Sequence, residues 1–292
     1  MKEIIKKAGI LIEALPYIQS FKGKVTVIKF GGSAMSDEHW IKNVLKDIVF
    51  LYTVGIKPVV VHGGGSKISA ALKRLGRKTK FVQGFRVTDE QTIQTVEEVL
   101  FDKVNKDIVD MIRSIGANAE GLSGKKHDII IAQKHTLDPP YDKHDLGFVG
   151  DVERINTHAI TSVIKENKIP VIAPLGIGKD GKTYNINADL AAGEIAKAIG
   201  SEKLVFLTDV IGILKDQNNE NSLVSHLDIG LVKSLIKKGI ISGGMIPKVT
   251  AGMRAVNSGV NKTHIINGKL PHTLLLEIFT DKGIGTEIVK KS

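Results

Sequence analysis

Four short segments of the chain combine residue types that handle anions. Lys29-Phe30-Gly31-Gly32-Ser33 closes an apolar run. A lysine at the end of a buried strand is costly unless its charge is used or paired. Taken alone, it is as readily a side chain reaching solvent. His62-Gly63-Gly64-Gly65-Ser66 places three glycines between an apolar run and a helical pattern. Such a junction forms a nest of backbone N–H groups at a helix N-terminus; the alternative is a tight turn that needs positive φ. His62 by itself is more often structural than catalytic. Asn185-Ile186-Asn187-Ala188-Asp189 sends its polar side chains to one side if extended throughout. Asp189 could equally cap the helix that follows. Gly243-Gly244-Met245-Ile246-Pro247-Lys248 is a glycine turn with Pro at a helix's first position, then Lys. A lysine in the first helical turn is electrostatically misplaced unless an anion binds there.

Two lysines, two glycine nests and one aspartate suit phosphoryl transfer, which depends on positioning and charge neutralisation. A carboxylate acceptor is already ionised at neutral pH and needs no general base. A hydroxyl acceptor would need one. Residue chemistry alone does not name the acceptor.

The elements that must hold these segments alternate. Strands are expected at 25–30, 58–61, 129–132, 169–174, 203–208 and 263–266. Helices are expected at 37–51, after Gly65, and at 90–115, 190–199, 231–238 and 248–258. Strands separated by helices imply a mostly parallel sheet covered on both faces, with ligands at the carboxyl ends of its strands. That rule selects Gly31-Gly32, Gly63–Gly65 and Thr208-Asp209. A first helix at 3–15 carries Ile4, Ala8, Leu11, Ile12 and Leu15 at helical spacing and ends at Pro16. It either packs on its own core or docks on a partner subunit.

Gly176 to Thr183 fits the P-loop pattern G-x-x-x-x-G-K-[ST]. A P-loop must open a helix, whereas Tyr184-Asn185-Ile186-Asn187 is poor helix sequence. Asp180-Gly181 is read instead as a hairpin turn.

The 292 residues are enough for one large α/β domain or two lobes on a shared sheet. Hydrophobic residues make up 42% and aromatics 5%, so aliphatic side chains must fill the core. With no cysteine, disulfides, thiolate catalysis and Cys-ligated metals are excluded. This suits a reducing cytoplasm, the expected location. The formal charge is +10, but its lysines are scattered and not interleaved with aromatics. That favours anionic small molecules over nucleic acid. No apolar run reaches membrane-spanning length, and the N-terminus lacks a secretory cleavage pattern.

The ordered set Val27-Ile-Lys-Phe-Gly-Gly32, Val60-Val-His-Gly-Gly-Gly65, Gln83-Gly-Phe-Arg-Val-Thr-Asp89, Asp145-Leu-Gly-Phe-Val-Gly150, Thr183-Tyr-Asn-Ile-Asn-Ala-Asp189 and Gly243-Gly-Met-Ile-Pro-Lys248 resembles the amino-acid kinase family. Within it, the likeness is to the branch whose members phosphorylate N-acetyl-L-glutamate in arginine biosynthesis. The resemblance runs through nearly the whole chain. It implies a three-layer αβα sandwich with a central mostly parallel sheet, an amino-acid-substrate lobe at 21–175 and an ATP-binding lobe at 176–292. By the same resemblance Lys29 and Lys248 stabilise the transferring phosphoryl group and Asp189 orients both. Gly64, Gly65, Arg86 and Asn185 hold the acetylated amino acid, Arg86 as a planar clamp for a carboxylate. Gly31, Gly32, Thr208, Asp209, Gly212, Ile213, Leu214, Ser242 and Met245 serve ATP, with Mg²⁺ carried on its phosphates.

The chain ends resemble the arginine-inhibited members. Glu13-Ala-Leu-Pro-Tyr-Ile18 with Phe21 is similar to an N-terminal arm, here residues 1–20, that joins homodimers into a hexamer as a trimer of dimers. His272 to Glu277 and Gly283 to Thr286 are similar to part of an arginine site, implying Tyr17, Glu277 and Gly283 as effector contacts. Both ends also read as ordinary packing. Ser66, Asn267 and Lys269 stand where Pro, Asp and Arg are usual in the family. The competing readings are a kinase for another amino-acid or carbamate acceptor, and a catalytically inactive arginine sensor.

Overall fold

A computed structural model describes the chain except residues 33, 34, 36, 138, 140, 142, 143, 281, 282, 291 and 292, and except the side chains of residues 2–4, 6 and 7. Ser33 and the Ile4 side chain therefore lie outside the described residues.

Helix α1 (Lys2–Phe21) leads to β1 (Val25–Phe30), α2 (Glu38–Thr53), β2 (Lys57–His62) and α3 (Gly65–Arg74). The two-residue strands β3 (Phe81–Val82) and β4 (Phe85–Arg86) form a hairpin. Then α4 (Glu90–Glu97), a π-helical segment (Glu98–Asn105) and α5 (Lys106–Ser114) run end to end. The chain continues with β5 (Ala119–Ser123), β6 (Ile130–Lys134), β7 (Val149–Ile155), α6 (His158–Lys165), β8 (Ile169–Ala173), β9 (Leu175–Gly178) and β10 (Thr183–Ile186). It closes with α7 (Ala188–Ala198), β11 (Lys203–Thr208), β12 (His226–Asp228), α8 (Ile229–Lys237), α9 (Met245–Asn257), β13 (Lys262–Asn267), α10 (Thr273–Phe279) and β14 (Thr286–Val289).

Eight strands form one sheet in the order β12-β14-β13-β11-β1-β2-β8-β5. Six run parallel; β14 pairs antiparallel with β13 and carries β12 with it. The period-two alternation of strand side chains splits the core in two. Ile28, Phe30, Val60, Val205 and Leu207 face a cluster with α2, the π segment and α10. Val27, Val59, Val61, Leu204 and Phe206 face a cluster with α6, α7, α8 and α9. These are the three expected layers. β6, β7, β9 and β10 make a small closed barrel beside the sheet.

Several local expectations are corrected. Helix α1 runs through Pro16 to Phe21. Proline removes the bond to the carbonyl four residues back, here that of Ile12, which is exposed and can bond to water. Asn187, not Asp189, caps α7: its Oδ1 accepts from the Asp189 and Leu190 N–H groups at 2.9 and 3.2 Å. Extension stops at Ile186, so Asp189 sits inside the first helical turn rather than continuing the strand. α9 starts at Met245, which makes Pro247 its third residue rather than its first. The hairpin reading of Gly176 to Thr183 holds. β9 and β10 pair antiparallel, and Gly181 takes φ +74° at the turn. No helix among the described residues is long and apolar enough to cross a membrane.

Candidate active site

Lys29 follows Val27 on the face of β1 that meets α7 and α9. Its neighbours on the other face, Ile28 and Phe30, are fully buried in the opposite cluster. Pleating therefore turns the lysine toward Asp189 and Lys248. Lys29 Nζ lies 2.9 Å from Asp189 Oδ1, and Lys248 Nζ lies 2.9 Å from Asp189 Oδ2. One carboxylate thus holds two ammonium groups, one on each oxygen. Burial alone would raise the Asp189 carboxyl, but the Lys29 and Lys248 charges outweigh it and hold it below the usual carboxylate range. Removing one partner of a buried ionic cluster strands the others at high energy.

α7 and α9 bring these groups together because they pack closely. A Cβ on Gly193 would stand 2.9 Å from Ala251 Cβ. Asp189 and Lys248 each lie about one turn before that contact. Nothing in the sequence reading singled out Gly193; its signal was a glycine inside an otherwise alanine-rich helix.

Beyond Lys248 opens a cavity of about 460 Å³. Thr208, Asp209, Gly212, Ile213, Leu214, Ser242 and Met245 line it, as the sequence reading grouped them. Val210, within the stretch 208–214 expected there, also lines it, as does Gln217, which had not been singled out. The cavity sits at the carboxyl end of β11.

On the other side of Lys29, the chain ends of β1 and β2 almost touch. A Cβ on Gly31 would stand 3.0 Å from the Gly63 backbone nitrogen and 3.1 Å from Lys29 Nζ. Gly32 takes φ +76°, a conformation natural to glycine. Gly64 precedes α3, and a Cβ there would stand 2.5 Å from Leu100 Cδ2. The first N–H groups of α3 have no partner within the helix. Arg86 lies beside them, donating from Nη2 to the Gly65 carbonyl at 2.8 Å and to Ser69 Oγ at 3.0 Å. Its Nη1 reaches Thr79 Oγ1 at 3.3 Å, and its guanidinium covers the Phe81 ring. Ser69 and Thr79 were not read from the sequence. Asn185 stands half-buried in β10, which packs on α4. His62 is fully buried.

A second cavity, of about 500 Å³, lies on the far part of the sheet. Tyr17 and Phe21 of α1 line it, with Glu277 of α10 and Gly283. So do Lys203, Lys262 and His264, which the sequence reading had passed over. Lys203 opens an otherwise apolar strand, the one cue to it. Glu277 is buried against His264, whose Nδ1 lies 2.6 Å away, and its Oε2 accepts from the Ile284 N–H at 2.9 Å. Burial alone would raise its carboxyl, but the His264 hydrogen bond and neighbouring charges outweigh it and lower it.

The geometry has clear relatives. A profile of the amino acid kinase family matches residues 24–267. An acetylglutamate kinase of Moorella thermoacetica is 52% identical over 289 residues, covering 98% of each chain. That of Halothermothrix orenii is 50% identical over 292 residues, covering 100% of each. The N-acetylglutamate synthase of Neisseria gonorrhoeae, solved with coenzyme A and N-acetyl-glutamate, superposes with a TM-score of 0.85 at 25% identity, over 98% of this chain and 64% of that one. The carbamate kinase of Giardia lamblia shares the fold, with a TM-score of 0.67 at 17% identity over 92% of this chain and 99% of that one. With the carboxylate-bridged lysines, the glycine-lined strand ends and a profile match across most of its length, the chain belongs to the amino-acid kinase family.

Proposed function

We propose that the protein phosphorylates the side-chain carboxylate of N-acetyl-L-glutamate, with ATP as its magnesium complex, to give N-acetyl-L-glutamyl 5-phosphate. The observation that carries this reading is Asp189 holding Lys29 and Lys248 between the glycine nest and the cavity at β11. Full-length relatives named acetylglutamate kinase support the choice of acceptor. The lobes on either side, 21–175 and 176–292, take acceptor and nucleotide respectively.

The acceptor carboxylate, ionised at neutral pH, attacks the γ-phosphorus. The bond from that phosphorus to the bridging oxygen breaks, and ADP leaves with the electron pair. No proton has to move. Charge that builds on the phosphoryl oxygens and the leaving oxygen meets Lys29 and Lys248. Backbone N–H groups of Gly31, Gly32 and Gly64 donate to the same oxygens. Arg86 and Asn185 hold the acceptor, with Gly65. Both Asp189 oxygens face ammonium groups; magnesium would ride on the ATP phosphates and would help to neutralise their charge.

The cavity of Tyr17, Glu277 and Gly283 is assigned to arginine as feedback inhibitor. Its buried carboxylate suits a guanidinium, and the gonococcal synthase has also been solved with L-arginine, with a TM-score of 0.81. Helix α1 exposes Ile5, Ile10, Leu11, Ile12 and Leu15. That apolar surface supports its reading as an arm that joins homodimers into a hexamer. The site of action is the cytoplasm.

Trapping the acyl phosphate as a hydroxamate tests the activity. Product with acetylglutamate, and little with glutamate, aspartate or carbamate, is expected. Activity on plain glutamate without any on acetylglutamate would sink the assignment.

A further inference from the structure

The proposed chemistry leaves three features unused: buried His62, the π-helical segment that ends at buried Asn105, and Gly121 of β5. They meet at one point. His62 Nδ1 lies 2.8 Å from the Gly63 carbonyl oxygen, and His62 Nε2 lies 3.1 Å from Asn105 Nδ2. The same Asn105 nitrogen donates to the Val171 carbonyl at 2.8 Å. An amide nitrogen has two hydrogens to give and accepts nothing. His62 Nε2 is therefore the bare acceptor. The ring's single proton sits on Nδ1 and is donated to Gly63. Burial lowers the His62 pKa to about 4, so the ring stays neutral at physiological pH and keeps this tautomer.

Asn105 reaches the ring because of two local features. It ends the π-helical segment Glu98–Asn105, whose wider turn changes the direction of the side chains that follow. It also presses on β5 at Gly121, where any Cβ would overlap Asn105 Oδ1.

What this arrangement controls is one peptide plane. The peptide between Gly63 and Gly64 is planar and trans, so its C=O and N–H point in opposite directions. Its carbonyl turns toward buried His62, so the Gly64 N–H turns away from the ring. Both flanking residues are glycine and give the plane little steric resistance to rotation. The Gly63 N–H is tied to the Phe30 carbonyl at 2.8 Å, but that bond fixes only the preceding peptide. If the plane turned over, a carbonyl would face the anions that a donor should meet.

We propose that Asn105 is a positioning residue, which holds His62 as its Nδ1–H tautomer and thereby pins the Gly63–Gly64 peptide with the Gly64 N–H presented to the reacting anions. This rests on Gly64 as a backbone donor in the proposed reaction.

The test joins ¹⁵N chemical shifts of the His62 ring to steady-state kinetics of the full chain. Wild type is expected to show a protonated Nδ1 and a bare Nε2. Asn105→Leu keeps the bulk and removes the donor. It is expected to mix the two tautomers and to lower kcat about tenfold, the scale of one net hydrogen bond, while the KM for ATP stays within about threefold. Gly121→Ala, which displaces the Asn105 amide from the opposite side, is expected to lower kcat in the same direction. A wild-type proton on Nε2 overturns the proposal even if neither variant folds. So does an Asn105→Leu enzyme that loses the single tautomer and keeps its full kcat. Lys248→Ala serves as the control for the site. If it leaves kcat unchanged, the site reading itself fails; if it lowers kcat while Asn105→Leu does not, only the present proposal fails.

Discussion

A methyl group added to Gly193 in α7 would stand 2.9 Å from the methyl of Ala251 in α9. That near-contact sets the spacing between the helices that carry Asp189 and Lys248. Gly193→Leu should force the helices apart, at a cost of about 1–3 kcal/mol. It should also stretch the 2.9 Å contact between Lys248 and Asp189. We expect kcat to fall at least about tenfold for the loss of one charge-assisted contact, and the KM for acetylglutamate to change little. Thermal melting and steady-state kinetics together check this. A lowered Tm with unaltered kcat would show that helix spacing does not set the lysine's position.

Lys248→Ala removes one of two cations facing the transferring group. A loss of about a hundredfold or more in kcat is expected, on the scale of one preorganised charge-stabilising group. The KM for acetylglutamate should hold nearly constant. Asp189→Asn should be as damaging by a different route, since it leaves two buried ammonium groups without a counter-charge. Kinetics of the two variants and of their double mutant separate the routes. Full additivity in log kcat would mean that the carboxylate does not act through the lysine.

Gly64→Ala tests packing rather than conformation, because the added carbon would stand 2.5 Å from Leu100 Cδ2. The start of α3 must then move away from the π segment. We expect a loss of about 1–3 kcal/mol in stability from overpacking, with reduced kcat. Trimming the obstacle with Leu100→Ala should restore part of the kcat. No rescue in the double variant would place the effect elsewhere.

His62 gives stability a defined pH dependence. Its pKa is about 4 in the folded chain, where burial disfavours the charged ring. Unfolded, it titrates near 6.5. Between those values the unfolded chain binds a proton that the native chain does not, so stability falls as pH falls. The contribution is fully present above the unfolded value and is lost as pH drops toward 4, about 3 kcal/mol in all. His62→Gln removes this term. Urea denaturation of both forms between about pH 7 and pH 4 should show a steeper acid loss for wild type. Parallel curves would refute the assignment.

Glu277→Gln should weaken arginine inhibition and leave uninhibited kcat close to wild type, because the cavity holding Glu277 shares no lining residue with the one beside Lys248. Removing residues 1–20 should both relieve inhibition and reduce the assembly mass by light scattering. Inhibition that survives both changes would move the effector site.

Much of this architecture was legible. The strands through Lys29, Val61, Ile172 and Phe206 are rich in β-branched and other apolar residues, as buried parallel strands require, with few polar interruptions. Each is followed by glycine, proline or a capping residue that marks its end. Weaker strands escaped notice. β7 carries Asp151, Glu153 and Arg154, and β14 is only four residues long; neither shows a clean period. Lys29, Asp189 and Lys248 could be named, since charged residues beside buried runs stand out. Their common centre followed only from the family resemblance, not from local pattern, because it depends on α7 lying against α9. The His62–Asn105 bond was equally invisible. It needs a π-helical turn that no local propensity announces.

β1 occupies the middle of the large sheet, with β2 on one side and β11 on the other. During synthesis β2 follows it closely, but residues 203–208 arrive only after every strand on the β2 side of the sheet has been made. Until then Val25 to Phe30 presents a bare apolar edge, and Lys29 has no Asp189 to neutralise it. The catalytic centre therefore cannot form piecemeal on the ribosome. Its assembly coincides with closure of the most sequence-distant pairing in the sheet's centre, a slow kind of step that leaves nascent chains prone to aggregation.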